Sequence, residues 1–143
     1  MKRMLFAVAL ATFGAASFAQ APALPSTAAP AGAEVYVIAP ADGATVGRDV
    51  VVRFGLKGMG VAPAGVAKEH TGHHHLLIDV KTLPPAGQPI PNDANHMHFG
   101  GGQTQTTLHL EPGTHTLQLE LGDANHVPFA PPLVSKKITI HVK

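Results

Sequence analysis

From residue 34 onward, apolar residues recur at every second position in short runs, and each run ends in Gly, Pro, Asp or Asn. That alternation is the period of a β-strand with one buried face. It predicts strands over 34–38, 49–56, 73–80, 103–110, 114–121 and 134–142. In the second, Val50, Val52, Phe54 and Leu56 share one face, while Asp49, Val51 and Arg53 take the other. In the third, His74, Leu76, Ile78 and Val80 fall on the core parity and His73 and His75 on the outward one. Thr106, Leu108 and Leu110 point inward in the fourth. In the fifth, Leu117, Leu119 and Leu121 point inward and Thr116, Gln118 and Glu120 outward. Ile138, Ile140 and Val142 complete the core parity. No long run at helical period interrupts the series.

Such a series of strands with turn-rich connections fits an all-β fold, a single immunoglobulin-like antiparallel β-sandwich of about six to seven strands. A small β-barrel is the alternative closure, because strand patterns do not determine how sheets close. The run Gly113-Thr114-His115-Thr116-Leu117 stands where many such sandwiches place a corner tyrosine, with histidine instead.

The N-terminus has a different pattern. Lys2 and Arg3 precede an apolar stretch from Met4 to Ala16, and Ser17-Phe18-Ala19 sets small residues before Gln20. That is the layout of a secretory signal peptide over residues 1–19. The stretch is shorter than the ~18–20 residues that span a bilayer. No later segment reaches that length, so the mature chain is expected to lack a transmembrane span and to be periplasmic or secreted. Residues 20–32 are mostly Ala, Pro, Ser and Thr, the composition of a disordered linker. Residues 33–143, about 110, are then one domain of ordinary size.

Composition narrows the chemistry. The chain has no cysteine, which excludes disulfides, thiolate metal sites and cysteine nucleophiles. Net charge is +1 with one Tyr and no Trp, and no basic block exists, so a nucleic-acid partner is not expected. Histidine is the outlier, with ten residues, all beyond the linker. In an antiparallel sandwich the loop entering one strand and the loop leaving its neighbour lie at the same end. This brings His70, His73, His74 and His75, then His96 and His98, then His126, to one end, and sends His109 and His115 to the other.

A His-x-His pair on extended backbone presents two imidazoles to one side. Together with His75 or His73 and His126 from the facing loop, His96 and His98 supply the three or four nitrogen ligands that Zn²⁺ or Cu²⁺ accepts. The candidate ligands are therefore His75, His96, His98 and His126, with His73 and His74 in reserve. Met59 and Met97 are candidate soft ligands, and Asp93 and Asp123 candidate partners that orient the imidazoles. The alternative is a hydrogen-bonded polar network that organises the loops. Gly100-Gly101-Gly102 is not a phosphate loop, since no Lys-Ser/Thr follows it and a strand comes next. No Gly-x-Ser-x-Gly or His-Glu-x-x-His motif occurs, and Glu69 beside His70 is the one nearby candidate base. No catalytic residue is assigned.

Four segments, Thr71-Gly72-His73-His74-His75-Leu76-Leu77-Ile78-Asp79, His96-Met97-His98-Phe99-Gly100-Gly101-Gly102-Gln103-Thr104, Pro112-Gly113-Thr114-His115-Thr116-Leu117-Gln118-Leu119 and Gly122-Asp123-Ala124-Asn125-His126-Val127-Pro128, resemble in this order the bacterial family called domain of unknown function 4399. The resemblance runs from about residue 34 to the end and implies an exported β-rich domain without implying an activity. His96-x-His98-Phe99-Gly100 is also similar, one residue short, to the His-x-His-x-Phe-Gly stretch of copper-zinc superoxide dismutases. The chain lacks the disulfide cysteines and zinc loop of those enzymes.

The expectation is thus an exported, non-enzymatic module binding copper or zinc through histidines at one end of the sandwich. The rival is a structural or adhesive envelope module that binds a protein or glycan, its histidines serving only to knit loops together.

Overall fold

Alternating side chains along six long strands leave one face of each to be covered, and the chain does so by stacking two sheets. The computed structural model describes residues 22–143; the segment read as a signal peptide lies outside them. Among the described residues nine strands form: β1 (Glu34–Ala39), β2 (Thr45–Val46), β3 (Asp49–Lys57), β4 (Gly60–Val61), β5 (Thr71–Ile78), β6 (His96–His98), β7 (Gln105–His109), β8 (Gly113–Gly122) and β9 (Ile138–Val142). The six long ones are those the alternation predicts, and β2, β4 and β6 are short additions. One sheet has the order β1-β3-β7, the other β2-β9-β8-β5-β4, with β6 also paired to β5. The long strands therefore divide as first, second and fourth against third, fifth and sixth, which is the immunoglobulin partition. The sheets do not close into a barrel. No helix among the described residues is long and apolar enough to cross a membrane.

The core lies between the sheets. Val50, Val52, Phe54 and Leu108 from one sheet meet Leu76, Leu117, Leu119, Leu121 and Ile140 from the other. Burying such side chains contributes roughly 1.5–3 kcal/mol each, so a cysteine-free domain can hold together by packing. At the start of β8, His115 reproduces the corner expected of a tyrosine. Its Nε2 donates to the Glu111 carbonyl at 2.9 Å, and its Nδ1 donates to Asp79 Oδ2 at 2.7 Å. Both partners are acceptors, which favours the protonated ring, and its pKa is raised by Asp79 first and the Glu111 carbonyl second.

β5 is the strand that positions the site. It is flanked by β8 on one side and by β4 and β6 on the other. His74, Leu76 and Ile78 face the sandwich core. His73, His75 and Leu77 face away from it, yet they are buried as well. Loops cover this outer face, and Leu77, Ile90 and Val127 are buried without belonging to the main core. Residues 27–29 lie against the same loops: Thr27 Oγ1 donates to Asp123 Oδ2 at 2.7 Å, and Ala28 bridges to Ala130.

Candidate metal centre

Strand alternation places His73 and His75 side by side on the outer face of β5, with ring centroids 4.9 Å apart. β6 pairs antiparallel with β5 so that His98 stands directly opposite His75; their rings stack at 5.1 Å. His126 arrives from the turn after β8. Asp123 builds that turn, its Oδ1 accepting from the amides of Asn125 and Val127 while its carbonyl accepts from the His126 amide. His126 itself adopts a left-handed backbone at φ 66°, a conformation sparse for non-glycine residues and one that aims its ring inward. It meets His98 at 4.6 Å and His73 at 5.0 Å between ring centroids.

The four imidazoles of His73, His75, His98 and His126 each offer a nitrogen, and these nitrogens all lie within 4.8 Å of one another. Around a tetrahedral zinc the ligand nitrogens stand about 3.3 Å apart, from bonds of about 2.0–2.1 Å. The four rings thus need small movements to close on one ion. Two glycines leave room for them: a Cβ on Gly122 would meet His75 Cε1 at 2.7 Å, and one on Gly100 would meet His98 Cε1 at 2.3 Å.

Hydrogen bonding leaves this cluster under-satisfied. His73 Nε2 and His126 Nδ1 approach to 3.1 Å. His73 Nδ1, both nitrogens of His75 and His98 Nε2 are buried with no partner. Each unpaired buried polar atom costs on the order of 1–3 kcal/mol. Burial and the neighbouring rings also hold three of the imidazoles, those of His73, His75 and His98, neutral. The pKa of His75 falls to about 3 and that of His73 to about 4, burial being the larger cause and the other cluster histidines the next. His98 is lowered as well, by burial and then by His126. Neutral rings keep their lone pairs free for a cation.

Two of the six histidines singled out by sequence stand apart. His96 shares a face with His98, but it lies two residues further along β6, about 7 Å away at strand spacing, opposite Leu77. Its Nδ1 is held by Asp93 Oδ1 at 2.9 Å. Asp93 thus orients a histidine outside the cluster. His74 points to the opposite side of the sheet, packed on Phe54 at 5.2 Å, and burial lowers its pKa to about 4. No well-formed hydrogen bond reaches its nitrogens, although the Gly55 backbone lies close enough to offset part of that fall, and it stands outside the group of four. Met59 and Met97 pack against the apolar core. The exposed pair Glu69 and His70, 3.4 Å apart, lies outside the cluster.

Glu120 is a further buried polar residue at the cluster, absent from the candidate ligands that the sequence suggests. It is directly opposite His75 across the β5–β8 ladder and therefore on the same face. It is fully buried, and neither carboxylate oxygen has a partner. Burial raises its pKa to about 7. The available signal was its parity, shared with the outward Thr116 and Gln118. That parity reads as solvent-facing unless the covering loops are known.

The fold and site define a class: an immunoglobulin-type sandwich with a four-imidazole cluster, two rings buried and two half-buried, on the outer face of one sheet. The chain belongs to the family described as Domain of unknown function (DUF4399), whose profile matches residues 52–143. That span contains all four cluster histidines and Glu120. No curated protein and no solved structure matched the chain.

Proposed function

We propose that this protein is an exported, non-enzymatic module that binds one copper or zinc ion through His73, His75, His98 and His126. The observation that carries the reading is four ring nitrogens within 4.8 Å of one another, on rings of which three, His73, His75 and His98, keep buried nitrogens without a partner. A hydrogen-bonded network would pair those atoms with carboxylates or carbonyls, as His96, His109 and His115 are paired. An all-nitrogen set suits zinc and copper and is poor for calcium or magnesium, which take oxygen. The signal-peptide-like N-terminus supports a periplasmic or secreted location, where such a module would buffer or deliver metal. Calorimetric titration of the purified protein with Zn²⁺ and Cu²⁺ tests the reading. One ion bound per chain at micromolar affinity or tighter is expected, and no stoichiometric binding would refute it.

One observation favours a second reading, an envelope module that binds a protein or glycan. Tyr36, Ile38 and Val51 are exposed, at 41%, 56% and 46%, on the outer face of β1 and β3. Under that reading alone, replacing His75 and His98 lowers thermal stability equally with and without metal.

A further inference from the structure

Glu120 is a buried carboxylate with no hydrogen bond and no ion pair. Such a group is costly unless a counter-charge is supplied, because an ion moved into low dielectric loses its hydration. The other carboxylates near the histidines are already engaged. Asp123 accepts from Thr27 and from the amides of Asn125 and Val127. Asp93 accepts from His96 and the Asn95 amide. Glu120 alone is uncommitted. As the cross-strand partner of His75, it has its Cβ roughly 4.5–5.5 Å from that of a cluster residue.

Four neutral imidazoles add no charge to the ion they surround. A divalent ion there leaves +2 in a site whose β5 wall is fully buried. We infer that Glu120 is the anionic partner of the bound ion and that the site is therefore built for a divalent rather than a monovalent cation. The inference rests on the metal-binding reading above. Coulomb attraction scales with the product of the charges, so the carboxylate stabilises M²⁺ by twice the free energy it gives M⁺. Removing the charge should weaken divalent binding by about 10–100-fold, the range for outer partners of metal ligands. The loss for a monovalent ion should be only the square root of that, about 3–10-fold.

The test titrates wild type, Glu120→Gln and Glu120→Asp with Zn²⁺ and with Ag⁺, an air-stable monovalent ion, and follows metal-free thermal melting. The inference expects Glu120→Gln to lose Zn²⁺ affinity by the larger factor and Ag⁺ affinity by the smaller. It expects Glu120→Asp, which keeps the charge, to retain most Zn²⁺ affinity, and metal-free Glu120→Gln to melt no lower than wild type. Zn²⁺ affinity of Glu120→Gln within about 2-fold of wild type, or equal losses for both ions, overturns the inference while leaving the metal site standing. A wild type that binds neither ion overturns both. Should the amide variant lose its fold, Glu120→Leu removes the charge without burying an amide, and the same comparison decides.

Discussion

Histidines at the two ends of this sandwich live under opposite rules. At one end His115 donates both ring protons, to Asp79 and to the Glu111 carbonyl, and its pKa is raised. At the other end His73 and His75 face other imidazoles, are fully buried and are held neutral. The residue type is the same, and the difference is the company. A carboxylate beside a histidine uses its proton and makes it structural. A ring facing other rings has a lone pair to give. This contrast, rather than the abundance of histidine, separates the cluster from the rest.

The largest expected effect is on metal affinity. His75→Ala or His98→Ala should weaken Zn²⁺ binding by more than about 100-fold, beyond the losses typical of outer-shell partners, whereas His115→Ala should leave it unchanged. Competition with a chromophoric chelator measures both. Loss of affinity at His115 as well would dissolve the contrast between the two ends.

Next comes pH. His73, His74 and His75 have folded pKa values of about 4, 4 and 3, below 6.5 when unfolded. The unfolded chain therefore binds more protons between those values, so metal-free stability should fall as pH drops from about 6.5 toward 4. Glu120, raised from 4.5 to about 7, has the opposite sign and costs stability as pH rises through that window. Three histidines outweigh one glutamate, so melting temperature should climb from pH 4 and level off near pH 7. The Glu120→Gln variant should gain on wild type as pH rises from 5 to 8. Thermal melts across this range, without metal, check both.

A smaller effect is expected where glycine makes room for a ring. Gly122→Ala sets a methyl against His75 and should weaken Zn²⁺ binding by about 10-fold, a shift the same chelator competition reads. The smallest is at the other end. His115→Gln should cost about 1 kcal/mol. Because the His115 pKa is raised, that contribution is present below pH 6.5 and is lost as pH rises through the folded value. Chemical denaturation at pH 6 and pH 9 would show the difference shrink.

Much of this was legible in the chain because strand parity is local. The alternation through Val50-Val52-Phe54 and Leu117-Leu119-Leu121 marked the core faces, and the same rule separated His74 from His73 and His75. The order of the loops brought His98 and His126 to the end that holds the cluster. Two things were not legible, for a shared reason. His96 and His98 have the same parity, and only the local turn at 93–96 shows Asp93 capturing the first. Glu120 carries a polar parity that looks exposed, and its burial follows from loops folding over β5 and β8. Parity assigns a face, and tertiary cover decides whether that face meets water.

X-ray absorption at the zinc edge of the Zn²⁺-loaded protein is the most direct measurement of the central claim. The account predicts a first shell of four nitrogens at about 2.0–2.1 Å, with imidazole scattering from four rings that falls to three in His75→Ala. A shell dominated by oxygen, or one unchanged in that variant, would contradict it.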